Sequence, residues 1–310
     1  MKLKNKYHFI FQVILIIMTF LLLPGCSSRQ KPDKSGLPLR DNTPMVLTPE
    51  SPMIDIFQCE NATIDYSNCR EGYIISHYEG TCDRVRMIVK TPDATEYTYM
   101  IHNGSEVFPL TGGDGKYGIS LYENVEADMY AAILTGSFEV TDIDPFKPYL
   151  YPNQYADFSA DDEIVSLAAQ LAADCHDDLD VVEKIYTYTR DNIEYDDDKA
   201  ASLAKEYLPD VDAVLKDGRG ICFDYASVMV SMLRSQGIPA RLEIGYTGTG
   251  EHHAWLSVYF ETEGWIDDMI EVKGNCWSLF DPTMASTANR TTLESFLSKK
   301  EDNYILKYCY

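Results

Sequence analysis

The chain has 310 residues, enough for two domains or one large one, and 45% of them are hydrophobic, which can supply a packed core. Its formal net charge at pH 7 is -23. Because phosphate binding requires clustered Lys and Arg, this charge argues against nucleic acid as a partner. We interpret the acidity as a solvated, soluble surface, and a site for basic substrates is the alternative.

The first 25 residues have the pattern of an export signal. A lysine-rich start precedes an apolar run from Phe9 to Leu23, which is short for a membrane-spanning helix and typical of a signal-peptide core. The run is followed by LPGCSS, which resembles the lipobox of bacterial lipoproteins, whose cysteine is lipidated and becomes the mature N-terminus. We therefore predict a signal peptide over 1–25 and an exported protein, anchored to the membrane through Cys26 and facing outside the cytoplasm. A secretion signal cut nearby and an uncleaved anchor are the alternatives.

The next segments predict a tether, a β domain and a linker. Residues 26–50 are rich in Ser, Pro, Lys and Asp, which predicts a flexible tether. Over 51–143, roughly seven short alternating runs separated by turn signals predict an antiparallel β-sandwich of immunoglobulin-like size. Its TGGDGK segment lacks P-loop spacing and predicts a hairpin turn. The proline-rich segment 144–158 predicts an interdomain linker.

The remaining residues, 159–310, change to helical periodicity followed by strands. Helices are predicted after Ser159, in DVVEKIYTYTRDNI and in VDAVLKDGRG. A longer helix is predicted from Ile221 to the residue before Gly237. Cys222 then lies in its first turn, where backbone amides and the helix dipole favour the thiolate, although Asp224 opposes part of this effect.

A base and an orienting acid follow the cysteine along the chain. In HHAWLSVYF (252–260), period-two alternation places His253 on one face of a strand whose other face is apolar. NCWSLFDPT (275–283) predicts a further strand ending at Asp281. If these two strands pair, Asp281 can accept a hydrogen bond from His253 and fix its tautomer. Cys222, His253 and Asp281 would then be the nucleophile, base and orienting acid of thiol catalysis.

Three ordered motifs in this half resemble a known family. GRGICFDYASVMVSMLRSQGIPARLEIGY, HHAW and FDPT are similar to the transglutaminase-like superfamily, which has a papain-like core. The resemblance covers roughly 160–290 and implies Cys222 as nucleophile, His253 as base and Asp281 as orienting residue. The adjacent His252 should point to the opposite face of the strand. The expected fold class is α+β, with an N-terminal antiparallel β-sandwich followed by a transglutaminase-like domain.

The resemblance implies acyl transfer from a peptide or carboxamide through a thioester on Cys222. Water as acceptor gives a protease or amidase, and an amine gives a crosslinking transglutaminase. We expect hydrolysis, because bacterial relatives of this type are often hydrolases. A non-catalytic surface binding module that retains the fold is the remaining alternative. The expected partners are a protein or peptide substrate, including cell-wall or surface proteins, and the membrane through the lipid anchor.

The other cysteines and histidines do not predict a cofactor or a metal site. His252, His253, Cys276 and the Cys175-His176 pair lack the spacing of C-x-x-C or H-E-x-x-H motifs, so we expect no metal. Six cysteines remain after Cys26 and Cys222 are assigned: Cys59, Cys69, Cys82, Cys175, Cys276 and Cys309. An exported protein can carry them as disulfides or as free thiols, and the sequence leaves both open.

Overall fold

The structure, a computed structural model, describes residues 34, 36–203, 206–246, 250–262, 264–273, 276–279 and 305–310. The predicted signal peptide, Cys26 and Asp281 lie outside these residues. Within them, no helix has both the length and the apolar character needed to cross a membrane.

Strands dominate the first half of the chain, and helices followed by strands form the second. The strands are β1 (Ile56–Gln58), β2 (Ala62–Asp65), β3 (Tyr73–Tyr78), β4 (Val85–Lys90), β5 (Glu96–Ile101), β6 (Gly104–Pro109), β7 (Gly115–Glu126), β8 (Met129–Val140), β9 (Glu194–Tyr195), β10 (Arg219–Gly220), β11 (Ala240–Tyr246), β12 (His252–Phe260), β13 (Gly264–Lys273), β14 (Cys276–Leu279) and β15 (Ile305–Cys309). The helices are α1 (Glu163–Ala172), α2 (Asp178–Asn192), α3 (Asp197–Ala201), α4 (Val211–Asp217) and α5 (Cys222–Ser235).

The first eight strands form an antiparallel β-sandwich, as predicted. One sheet has the order β1-β2-β3-β6 and the other β5-β4-β7-β8. Alternation dictates the packing: Val85, Met87 and Val89 of β4 point into the core, while the residues between them are partly exposed. Aromatic rings join the two sheets, for example Tyr99 and Phe108, whose centroids are 4.8 Å apart.

The second half is built on a five-stranded sheet with the order β14-β13-β12-β11-β15. Helix α5 packs on β11 and β12, and helices α1, α2 and α4 pack around α5. The apolar face of β11 and β12, which includes Leu242, Ala254 and Leu256, shares one core with Val228 and Met232 of α5. The predicted fold class, a β-sandwich followed by an α+β domain, is therefore confirmed.

The pairing on which the predicted hydrogen bond between Asp281 and His253 depends is not formed by the described part of the segment that contains Asp281. The described part of NCWSLFDPT, β14, pairs with β13, and β13 lies between β14 and β12. Sequence reasoning assigned no strand to β13. Its register against β12 shifts between Ile266 and Ile270, so a bulge over 267–269 breaks the period-two pattern there.

Two segments predicted as connections are packed against the folded core. Within the predicted tether, Arg40 donates hydrogen bonds to Asp178 at 2.5 Å and to the carbonyl of Gln236 at 2.6 Å, so residues 38–50 are docked rather than extended. In the predicted linker, the ring of Tyr149 lies 5.2 Å from that of Trp265, on the face of the sheet opposite α5. The linker therefore covers the sheet instead of spacing two domains apart.

Candidate active site

Helix α5 begins at Cys222, and glycines shape the turn that leads into it. Gly218 has φ 63°, the left-handed conformation that ends α4. A Cβ on Gly220 would lie 2.7 Å from Cβ of Asp224, so only glycine fits there. The N–H of Asp196 donates to the carbonyl of Gly220 at 2.9 Å and holds this turn against β9. The predicted position of Cys222, in the first turn of the helix, is confirmed.

The thiol of Cys222 is half-buried between the helix start and strand β12. Burial raises the pKa of Cys222, and the backbone N–H groups of Ala254 and Phe223 act in the opposite direction. The carboxylate of Asp224 raises the pKa further. The amides expected to favour the thiolate are therefore present, but burial outweighs them, and the thiol needs a base to lose its proton.

Strand β12 holds His253 in a fixed environment. His253 is buried, whereas its neighbour His252 is exposed, as the predicted alternation requires. The imidazole stacks on the indole of Trp255, with centroids 6.3 Å apart. Gly245 lies opposite His253 in the register, and a Cβ there would be 2.9 Å from the Trp255 ring and 2.1 Å from the carbonyl oxygen of Ile305. Glycine at 245 thus lets the indole and strand β15 approach closely.

The structure brings two of the three predicted catalytic positions to the same place. The sulfur of Cys222 is close to the N–H of Ala254, the residue that follows His253. Asp281 lies outside the described residues, and its role remains a prediction.

Sequence reasoning identified Asp224 in the first turn of α5 but missed the two polar residues that bind its carboxylate. Lys199 and Tyr207 both donate hydrogen bonds to the carboxylate of Asp224, which is fully buried. In the sequence, Lys199 follows three consecutive aspartates, and nothing in this run marks it as the partner of a buried carboxylate. One signal was available: Asp224 stands three residues after Ile221, the spacing of a capping box, and its carboxylate accepts the N–H of Ile221 at 2.8 Å.

Thiols and potential metal ligands are also placed by the structure. Cys59, Cys69, Cys82, Cys175, Cys222 and Cys309 are free thiols. Among the side chains that the structure describes, no group of three or more His, Cys, Asp or Glu is arranged to hold a metal ion.

The chain is similar to known proteins in the region of this site. Residues 165–267 match the sequence model of the Transglutaminase-like superfamily. YebA of Bacillus subtilis strain 168, an uncharacterized protein, is 29% identical over 139 residues, a match that spans 38% of this chain and 19% of YebA.

Solved structures with detectable similarity share little sequence with this chain. A candidate cysteine protease from Cytophaga hutchinsonii is 15% identical with a TM-score of 0.36, and the match covers 82% of this chain and 78% of that one. A candidate protease from Parabacteroides distasonis is 14% identical with a TM-score of 0.31, over 60% of this chain and 38% of that one. A TGase is 18% identical with a TM-score of 0.29, and the match covers 41% of this chain and 34% of that one.

The family match confirms the resemblance inferred from the motifs. Residues 165–267 are a transglutaminase-like core domain. This range contains Cys222 and His253 and ends before Asp281.

Proposed function

We propose that the transglutaminase-like domain is a thiol enzyme that transfers acyl groups from peptide or carboxamide substrates. Cys222 is the nucleophile, His253 the base, and Asp281 the residue that orients His253. The observation that carries the proposal is the thiol at the start of α5, with the amides of Phe223 and Ala254 close to its sulfur. Amides so placed stabilise negative charge on sulfur or on the oxygen of a tetrahedral intermediate.

The reaction follows from these groups. His253 accepts the thiol proton, and the sulfur of Cys222 attacks the substrate carbonyl carbon. When the carbon–nitrogen bond breaks, protonated His253 donates its proton to the leaving amine and a thioester remains. Water then attacks the thioester while His253 accepts a proton, and the acid product leaves as the thiol reforms. Hydrolysis needs no second organic substrate, so we propose protease or amidase activity.

A cleft lies beside the turn that leads into Cys222, and its lining residues do not include Cys222 or His253. It has a volume of about 750 Å³ and is lined in part by Tyr195, Gly218 and Tyr225. Tyr195 and Tyr225 stack with centroids 6.2 Å apart, so the cleft has an aromatic wall next to the turn before Cys222. Its volume lies in the range of small-ligand sites, so we propose that it holds the part of a substrate that extends beyond the thiol.

The proposed location is the outer face of the cell membrane, with Cys26 lipidated and cell-wall or surface proteins as substrates. The basic start, apolar run and LPGCSS motif support it. Cys26→Ser should move the protein from the membrane fraction to the soluble exported fraction. If fractionation is unchanged, the attachment is not through a lipid on Cys26.

Peptide profiling of the full chain, with and without an added primary amine, tests the activity. Cys222→Ala and His253→Ala should each abolish turnover, since positioned acid–base catalysis alone typically contributes about 10²–10⁴ in rate. Cys69→Ala is the matched control, because Cys69 is also half-buried and burial raises its pKa, but it lies in the sandwich. Full activity of folded Cys222→Ala would overturn the mechanism, and amine adducts in place of acids would identify a crosslinking enzyme.

A further inference from the structure

A buried carboxylate lies two residues after the proposed nucleophile. Asp224 is fully buried in the first turn of α5. Burying a carboxylate is costly unless it is paired, and this one also opposes negative charge on the sulfur of Cys222. An acid here therefore needs a compensating partner if Cys222 is to ionise.

Three donors saturate this carboxylate. Its Oδ2 accepts the N–H of Ile221 at 2.8 Å and the Nζ of Lys199 at 2.7 Å, and its Oδ1 accepts the hydroxyl of Tyr207. Lys199 also donates to the hydroxyl of Tyr207 at 2.6 Å and lies 4.4 Å from the centre of its ring. The phenol is thus held between the ammonium and the carboxylate.

Local structure places Lys199 against the helix. Helix α3 is a single short turn whose N-cap, Asp196, accepts the N–H of Lys199 at 2.9 Å. The N–H of Asp196 is bonded in turn to the carbonyl of Gly220. Lys199 therefore reaches Asp224 from a segment fixed to the turn that presents Cys222.

We propose that Lys199 is a positioning residue for Cys222 that acts through Asp224. Its ammonium neutralises the carboxylate, so the amides at the start of α5 act on the thiolate without a strong opposing charge. Asp224 can then cap the N–H of Ile221 and fix the first turn without suppressing the nucleophile. The assignment rests on the proposed role of Cys222.

Other titratable groups on the elements packed around the start of α5 do not replace this pair. They include Glu194 and Tyr195 on β9, Asp196, Asp197 and Asp198 at α3, Arg219 on β10, Glu251 before β12, and His252 and His253 on β12. Burial and nearby negative groups raise the pKa of Tyr195 to about 12, so it is neutral at physiological pH. Asp197 and Glu251 are exposed, and water screens their charges. His253 is present in every variant below.

The test measures how the rate of Cys222 alkylation by iodoacetamide depends on pH in the full chain. Peptide mass spectrometry quantifies the labelled Cys222, and the midpoint is the pH at which the rate is half of its maximum. Lys199→Met removes the charge and keeps the stem, so the midpoint should rise by about one pH unit, or roughly tenfold less thiolate at a given pH. Lys199→Arg should keep the wild-type midpoint. Asp224→Asn should lower the midpoint, because it removes the negative charge and leaves the ammonium of Lys199. The double variant, Lys199→Met with Asp224→Asn, should have a midpoint close to that of the wild type.

Lys184→Met is the matched control: Lys184 lies on α2, its exposed pair with Asp174 is far from Asp224 in sequence, and its loss should not move the midpoint of Cys222 alkylation. If the Lys199 and Asp224 variants lower only the melting temperature, the network is purely structural and the proposal is wrong. Should Lys199→Met fail to fold, Asp224→Asn decides, since an unmoved midpoint overturns the proposal. Alkylation does not require turnover, so wild-type protein without hydrolase activity would count against the proposed function and leave the midpoint shifts interpretable.

Discussion

Among the residues that the structure describes, the sandwich and the half that carries the transglutaminase-like core bury acidic and basic groups very differently. The eight strands of the sandwich bury a single carboxylate, Asp65, whereas α5 and the neighbouring strands bury four acidic or basic side chains: Asp224, Arg234, Glu243 and His253. Because burying charge is unfavourable without partners, the second half must hold these groups in specific contacts. The contrast indicates that the second half contains side chains whose burial lowers stability but which hold other groups in fixed positions.

Helix α5 is held by buried charge at both ends. In its first turn, the carboxylate of Asp224 accepts the N–H of Ile221 at 2.8 Å. In its last turn, Arg234 donates to the carbonyls of Ala240, Tyr151 and Tyr310, at 2.8–3.0 Å. These contacts tie α5 to the sheet, to the predicted linker and to the residue after β15. In the sandwich, by contrast, Asp65 only organises loops, accepting bonds from Ser51 and Ser67.

The largest effect that would sharpen this contrast concerns Asp281. If it orients His253, Asp281→Asn should leave the fold intact and lower kcat/KM by orders of magnitude, because the amide can hold the wrong imidazole tautomer. In a serine triad the equivalent change costs about 10⁴, and we expect less here because the nucleophile is a thiol. The measurement is the pH–rate profile. A profile that superimposes on wild type would reduce the site to a Cys222–His253 dyad.

Comparing the two halves of one protein assumes that they unfold as one cooperative unit. Substitution of Tyr99 tests this assumption. Its ring, from β5 of the sandwich, packs against Tyr155 of the linker and Tyr310 after β15, with centroids 6.0 and 5.9 Å away. Tyr99→Ala should destabilise the protein by about 3–5 kcal/mol, as for other large core truncations. Urea unfolding followed separately by fluorescence and by Cys222 labelling should give coincident transitions.

The control for Tyr99→Ala is Tyr130→Ala, which removes a half-buried tyrosine from β8 at the far hairpin of the sandwich. It should cost markedly less. Two separate transitions in the Tyr99 variant, with the labelling transition at its wild-type position, would mean that the halves are energetically independent.

Arg234 tests the cost of the charges that hold α5. Arg234→Met should destabilise the protein by about 2–4 kcal/mol, because several buried carbonyls lose their donor. Arg84→Met, which removes the exposed pair with Asp128, should cost much less, because water screens an exposed ion pair. If urea titrations give the same loss of unfolding free energy for Arg234→Met and Arg84→Met, the buried contacts of the Arg234 guanidinium do not stabilise the fold more than an exposed pair.

Features with local periodicity could be predicted from the sequence. Glycine at 218 and 220, the apolar stripe of α5 and the alternation of β12 each depend on residues within a few positions. They therefore placed Cys222 in the first turn and separated His252 from His253 correctly.

Features that depend on distant contacts could not be predicted. Strand β13 was missed because a bulge breaks its alternation. The bond between Lys199 and Asp224 joins residues 25 positions apart, and nothing in the DDDK run marks which charge is buried. Burial raises the pKa of Cys222 against the amides at the start of α5, and the extent of that burial depends on tertiary packing that local sequence does not encode.

The smallest predicted effects concern one carboxylate from each half. Replacing them should change the melting temperature at pH 7 in opposite directions. At Asp65, burial opposes ionisation, but hydrogen bonds from Ser67, Ser51 and the N–H of Met53 outweigh it and lower the pKa. At Asp212, whose side chain is exposed, partial loss of hydration and the nearby carboxylate of Asp162 raise the pKa. A lowered folded-state pKa stabilises the fold above the unfolded-state value of 3.8, and this contribution is lost as pH falls through the folded-state pKa. A raised one destabilises the fold above the folded-state pKa, and this penalty disappears as pH falls toward 3.8.

Asp65→Asn should therefore lower the melting temperature at pH 7, corresponding to about 1–3 kcal/mol, and the electrostatic part of that loss should shrink below pH 3.8. Asp212→Asn should raise the melting temperature slightly at pH 7 and have no effect near pH 3, where the wild-type carboxyl is already protonated in both states. Melting curves from pH 3 to 8 for both variants measure this directly. If Asp212→Asn lowers the melting temperature at pH 7, its carboxylate has a stabilising partner, and crowding with Asp162 does not govern this end of the helical domain.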